Sequence, residues 1–176
     1  MKQIEQKILS YCSEEGIGYI QIPENNNLEF GINIKFPPHH PKPKGIAIIQ
    51  PKNKSFIVLQ IGIQISDEHL KALENQSPNA KMVFFEMIRR NLLAKDLMFK
   101  MEIKHNRFLI TEQIYEDGLS MDSFFRNIRR IINASDTCNL ILSDISSGRG
   151  IQMIPKKSSQ RPIKDDDDSY NNLYYS

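Results

Sequence analysis

Apolar positions along this chain switch between two spacings, and each switch marks an element. Ile4, Ile8, Tyr11 and Cys12 keep the spacing of one helix face, and Gly16, free to take a left-handed conformation, predicts the stop. Tyr19 to Ile22 reads as a brief strand ended by Pro23. From Leu28 to Phe36 the pattern alternates strictly: Leu28, Phe30, Ile32, Ile34 and Phe36 against Glu29, Gly31, Asn33 and Lys35. That period of two predicts a strand with one buried and one wet face. The proline-rich loop from Pro37 to Lys44 interrupts the ladder, because proline has no backbone donor. Two further strands follow, Ile46 to Ile49 and Phe56 to Ile65, joined by a turn at Pro51-Lys52-Asn53-Lys54.

The spacing then lengthens to that of a helix. Ser66 is a suitable N-cap for a helix carrying Leu70 and Leu73, and Ser77-Pro78 predicts the start of another. That second helix carries Met82, Phe85, Ile88 and Leu92 on one stripe, widened by Phe84 and Met87, and is expected to cover the sheet. Phe99, Met101 and Ile103 alternate with charged residues, His105-Asn106 turns the chain, and Phe108 to Tyr115 returns as a strand. Ser120 then caps a helix with Met121, Phe124, Phe125, Ile128, Ile131 and Ile132 on its stripe. Leu140, Ile141, Leu142 and Ile145 either extend this helix or form a short one of their own. The predicted order is α-β-β-β-β-α-α-β-β-α. Strands segregated from helices and joined by hairpins imply an α+β fold with a mainly antiparallel sheet, its helices on one face. Residues 1–147 form this single domain, and the polar stretch 148–176, with its block Asp165 to Asp168, is expected to be a disordered tail.

Composition narrows the function classes. With 23 Lys+Arg against 21 Asp+Glu, the net charge of +2 lacks the basic excess of a dedicated nucleic-acid binder. Two cysteines, Cys12 and Cys138, are too few for a disulfide scaffold and sit in apolar helix patterns, so reduced thiols and a cytoplasmic setting are expected. No apolar h-region opens the chain, and no apolar run reaches the ~18–20 residues that cross a bilayer.

Candidate chemistry is sparse. His39 and His40 point to opposite sides of an extended segment and lack the convergent ligands a zinc site needs, so they read as loop residues. The run Asp165 to Asp168 lacks the alternation and glycine turn of a calcium loop. No nucleophile motif occurs, and no catalytic residue, metal ligand or cofactor is assigned. The feature that stands out is a set of arginines beside the apolar stripes of two helices: Arg89 and Arg90 on one, Arg126, Arg129 and Arg130 on the other. They are the candidate surface for an anion or an acidic partner.

The stretch Ile114-Tyr115-Glu116-Asp117-Gly118-Leu119-Ser120-Met121-Asp122-Ser123-Phe124-Phe125 forms a strand-turn-cap-helix unit. It resembles an uncharacterised archaeal family of the type III secretion chaperone-like fold group. The element order over residues 1–145 resembles the same group, which also holds YbjN-type regulators. A fourth strand and the tail depart from its simplest pattern. The resemblance implies a homodimer that binds an extended segment of a protein partner. A non-enzymatic protein-binding or chaperone-like module is therefore the leading expectation. The alternative is a regulator that binds nucleic acid or an anionic ligand through the arginine-bearing helix face, and an enzyme with dispersed residues is a third.

Overall fold

The computed structural model describes residues 2–23, 26–76 and 79–147. The elements are α1 (Lys2–Glu14), β1 (Tyr19–Gln21), β2 (Leu28–Phe36), β3 (Lys44–Pro51), β4 (Phe56–Gln64), α2 (Asp67–Gln76), α3 (Ala80–Ala94), β5 (Met98–Glu102), β6 (Arg107–Tyr115) and α4 (Met121–Ser146). Their order is the one the apolar spacing predicts. All six strands join one antiparallel sheet in the order β1-β2-β3-β4-β6-β5. The Ser77-Pro78 helix start and the tail from Gly148 lie outside the described residues.

Helix ends follow from local chemistry. Gly16, at φ 64°, closes α1: the Ile17 amide donates to Cys12 O at 2.8 Å and the Gly16 amide to Ser13 O at 3.1 Å. This is the paired bonding that a left-handed residue after a helix makes available. Ser66 Oγ accepts from the His69 amide at 3.4 Å, as an N-cap should. Ser120 and Ser123 bond reciprocally, at 3.2 and 2.9 Å, in a capping box that starts α4.

α4 is one continuous helix of 26 residues, so Leu140 to Ile145 extend it. Phe124, Ile128, Ile131, Ser135, Cys138, Leu142 and Ile145 recur at alternating steps of four and three and are all buried. At ~1.5 Å per residue this helix is ~39 Å long, enough to cross the whole sheet. It packs on β4 and β6, whereas α3 packs on α4 and β5. The expectation that α3 covers the sheet is therefore corrected: the longer stripe of α4 occupies the middle. The stripe of α3 is corrected too. Phe84, Phe85, Ile88 and Leu92 are buried, while Met82 is 56% exposed.

Beneath the helices the sheet presents Phe30, Ile32, Ile34, Ile46, Ile48, Ile57, Leu59, Phe108 and Ile110, all buried. Ile4, Ile8 and Cys12 bring α1 into the same core. An aromatic chain ties the layers together, from Tyr11 to Phe124 at 5.9 Å, Phe124 to Phe125 at 5.0 Å and Phe125 to Phe36 at 6.0 Å. The strand expected from Phe99 to Lys104 ends early, at Glu102. A short 3-10 turn over Ile103–His105 delivers the chain to Asn106, whose φ of 53° makes the reversal.

Candidate functional site

β1 forms one edge of the sheet. It is only three residues long because Gly16 and Gly18 precede it and Pro23 follows. Its register sets Tyr19 opposite Ile34 and Ile20 opposite Asn33. The Ile22 amide donates to Gly31 O at 2.9 Å. Antiparallel pairing alternates, so the amides of Tyr19 and Gln21 point away from β2 and off the sheet. Gly31 lets the strands approach: a Cβ there would stand 3.2 Å from Ile22 Cβ. Tyr19 and Ile20 are 46% and 69% exposed, an unusual pair of large apolar groups for a free edge. Beside them lies a groove of about 570 Å³, walled by Tyr19, Ile20, Lys35, Pro37, Pro38 and His39.

The opposite edge, β5, is dressed differently. Glu102 pairs with Lys100 Nζ at 2.8 Å and with Arg107. Hydrogen bonds from Lys100 and Arg107 hold its carboxyl down at about 2, well below the usual carboxylate range. Charged side chains on an edge discourage further strands from adding to it.

The face of the sheet turned away from the helices carries no helix among the described residues. Register fixes its rows. One row crosses every strand through Ile20, Asn33, Ala47, Gln60, Thr111 and Met98. The next holds Gly31, Ile49, Val58 and Gln113, and beyond it Phe56 faces Tyr115 with ring centroids 5.7 Å apart. On the other side Leu109 stands opposite Gly62 and Lys100, and Arg107 opposite Gln64 and Glu102. Positions 45, 47, 49 and 51 of β3 and 56, 58, 60, 62 and 64 of β4 contain no charged residue. Charges stand toward the margins, at Glu29, Lys35, Lys100, Glu102 and Arg107.

The arginines singled out by sequence fall into separate roles. Arg89 and Arg90 share Glu86, at 3.9 and 2.9 Å, on the exposed side of α3. Arg126 pairs with Asp122 one turn earlier on α4, and Arg129 beside it is exposed. Arg130 is only 38% exposed and works inside the fold. Its Nη1 donates to Glu112 Oε1 at 2.8 Å, and its Nη2 to the carbonyls of Lys95 and Asp96 at 2.6 and 2.7 Å. It thus satisfies two carbonyls of the turn that follows α3 and ties that turn to α4. Burial pushes the Glu112 carboxyl up against the opposing pull of Arg130.

Sequence reasoning missed two groups. Lys44 Nζ reaches Asp136 at 2.6 Å and Ser135 Oγ at 3.0 Å, which pins the start of β3 to α4. The apolar outer face was also missed, although the unbroken run Ile46-Ala47-Ile48-Ile49 signals a strand that is apolar on both sides. His39 and His40 are exposed, and His40 Nδ1 accepts from the Lys42 amide at 3.1 Å. Among the described residues no three His, Cys, Asp or Glu side chains converge as metal ligands. Burial pushes the thiols of Cys12 and Cys138 up to about 11 and about 12, so neither is a ready nucleophile. No described helix is long and apolar enough to cross a membrane.

Architecture and sites together define an α+β protein with one helix-covered antiparallel sheet, one sheet face bare of helices among the described residues, and one apolar edge strand. The chain belongs to the family of uncharacterized conserved proteins DUF2299, whose pattern matches residues 4–142. It is similar to an uncharacterized protein from Methanothermobacter thermautotrophicus of known crystal structure. The identity is 24%, the TM-score 0.70, and the match covers 80% of this chain and 96% of that one. That likeness shows the shared fold. The crystal structure of the ExsC-ExsE complex matches at 12% identity and a TM-score of 0.47, over 80% of this chain and 94% of that one. Comparison with curated proteins found no match.

Proposed function

We propose that this chain is a non-enzymatic, homodimeric protein-binding module of the secretion chaperone-like kind, which takes up an extended segment of a partner protein along the β1 edge. The observation that carries the reading is that edge: Tyr19 and Ile20 stand exposed, the amides of Tyr19 and Gln21 point outward, and a groove lies alongside. An extended peptide can add to such an edge through main-chain bonds while its alternate side chains fill the groove. The reactive groups expected of an enzyme do not gather there. The groove's walls are mostly apolar, with Asn33, Lys35 and His39 among them as polar members.

The test is a selection of unstructured peptides on the full chain, followed by titration. Apolar, strand-forming sequences are expected to bind at micromolar affinity or better. Gln21→Pro should abolish that binding by removing one outward donor, with little change in the fold, because edge strands tolerate proline. Peptide binding that survives both Gln21→Pro and Ile20→Asp would refute the edge as the site.

A second reading rests on Arg129, exposed beside Arg126 on the outer side of α4. There a nucleic acid or another anionic ligand would be held by Arg126 and Arg129, with Arg89 and Arg90 on α3 as further cations, while Arg130 stays committed to Glu112 and the carbonyls of Lys95 and Asp96. Filter binding in rising salt discriminates, since affinity for a polyphosphate falls with a slope set by the number of phosphates contacted.

A further inference from the structure

We infer that the bare face of the sheet is the surface through which two copies of this chain pair. The inference deepens the homodimeric part of the reading above and names the surface responsible.

The outer side of a solvated antiparallel sheet normally alternates polar residues with the buried ones. Here the two central strands break that rule. Ile49 and Val58 stand side by side at the middle, Ala47 continues the apolar strip, and Phe56 and Tyr115 close one end. Charge is confined to the margins. A charge-free centre inside a polar rim is the layout of a protein interface. The residues between are small or flat: Gly45, Ala47 and Gly62 carry almost nothing above the strand plane. A second sheet can therefore approach to the ~10 Å at which sheets stack.

Size and charge favour a second copy over another class of partner. Six strands at ~4.8 Å spacing, with central strands of about nine residues rising ~3.3 Å each, present a face on the order of 700 Å². A stable interface uses about 800 Å² from each partner. An isologous pair brings identical rims together, so a rim of one sign would repel itself. This rim is mixed, with Lys35, Lys100 and Arg107 against Glu29 and Glu102, and Lys100 and Arg107 both pair with Glu102. Self-pairing thus meets no field of one sign. Ile20, Asn33 and Lys35 are shared by the margin of this face and the β1 groove, while the outward amides of Tyr19 and Gln21 lie beyond it and stay free for a peptide.

Light scattering on the full chain tests the inference. The expected mass is near twice the 20.4 kDa chain at micromolar concentration. Val58→Lys, with unchanged circular dichroism, should return it to that of one chain. If Val58→Lys does not fold, the pair Gln60→Lys and Gln113→Lys decides, because both sites are half-exposed and polar already. A wild-type monomer at roughly 100 times micromolar concentration would overturn both this inference and the homodimeric reading. A dimer that persists in every folded variant would overturn the face alone and leave the homodimer on another surface. Edge-peptide binding, measured in the same variants, should be retained, because Val58, Gln60 and Gln113 do not wall the groove.

Discussion

The two faces of the sheet are built from adjacent residues of the same strands, yet they serve different ends. On β3, Ile46 and Ile48 are sealed beneath the helices, while Ala47 and Ile49 are half-exposed on the other face, where no helix lies among the described residues. The covered face is apolar because α1 and α4 exclude water from it. The outer face has no helix over it among the described residues, and its centre holds no charge. Ala47, Ile49, Phe56 and Val58 stand there among the neutral polar Asn33, Gln60, Thr111 and Gln113. Composition alone therefore does not tell a core from a docking surface; the layer that does or does not lie on it does. The edges repeat the lesson: β5 is guarded by Lys100, Glu102 and Arg107, whereas β1 exposes Tyr19 and Ile20.

The comparison predicts that mutations under the helices act on folding and mutations on the outer face act on association. The largest effect is expected for Phe124→Ala. Phe124 is fully buried and contacts both Tyr11 and Phe125. Truncation should cost about 3–5 kcal/mol in urea unfolding, from lost transfer energy and the cavity left behind. The loss should not depend on protein concentration. If Phe56→Ala on the outer face cost as much in dilute solution, the division between the faces would fail.

Next comes Arg130→Met, at the flank of the covered face. It leaves Glu112 without its cation and the carbonyls of Lys95 and Asp96 without their donor. The expected loss at neutral pH is about 1–3 kcal/mol, below the value for a fully buried pair because Arg130 is partly exposed. Its pH dependence identifies the cause. The folded pKa of Glu112 lies above its unfolded value, so the ionised form costs stability at neutral pH, and the cost is relieved as pH falls through the folded value. Without Arg130 that cost grows, so the difference between variant and wild type should shrink on acidification from pH near 7. A difference that is flat with pH would assign the effect to the helix end instead.

Much of this was legible in the sequence where one residue pattern answered to one physical demand. The strict alternation of β2 predicted its buried Phe30, Ile32 and Ile34, and Ser120 with its turn announced α4. Legibility failed where neighbours decide. Met82 shares the period of α3 but points away from α4 and β5, which no period reveals. Arg130 looks like Arg129 in the sequence, and only Glu112 and the turn after α3, brought close by the fold, give it partners. β3 was recognised as a strand without its faces being told apart, because Ile46, Ala47, Ile48 and Ile49 are all apolar. The β1 edge was seen as a strand, but its position at the margin of the sheet comes from the strand order.

The smallest effect on stability is expected for Ile49→Thr, and it probes the comparison most directly when set beside Ile48→Thr. The two residues are neighbours, carry the same side chain and suffer the same chemical change. At Ile48, which is fully buried, the new hydroxyl must enter the core, and the loss should reach about 2–4 kcal/mol. At Ile49 the hydroxyl meets water, and threonine suits an exposed strand, so the loss in dilute solution should be ~0.5 kcal/mol. Raising the protein concentration should separate them further. Pairing stabilises whatever binds in the folded state, by mass action. The wild type should therefore gain stability with concentration, Ile48→Thr should gain equally, and Ile49→Thr should gain less, because its weakened face pairs less well. Equal gains for all three would show that Ile49 takes no part in pairing, and the outer face would then be only a sheet surface that tolerates exposure.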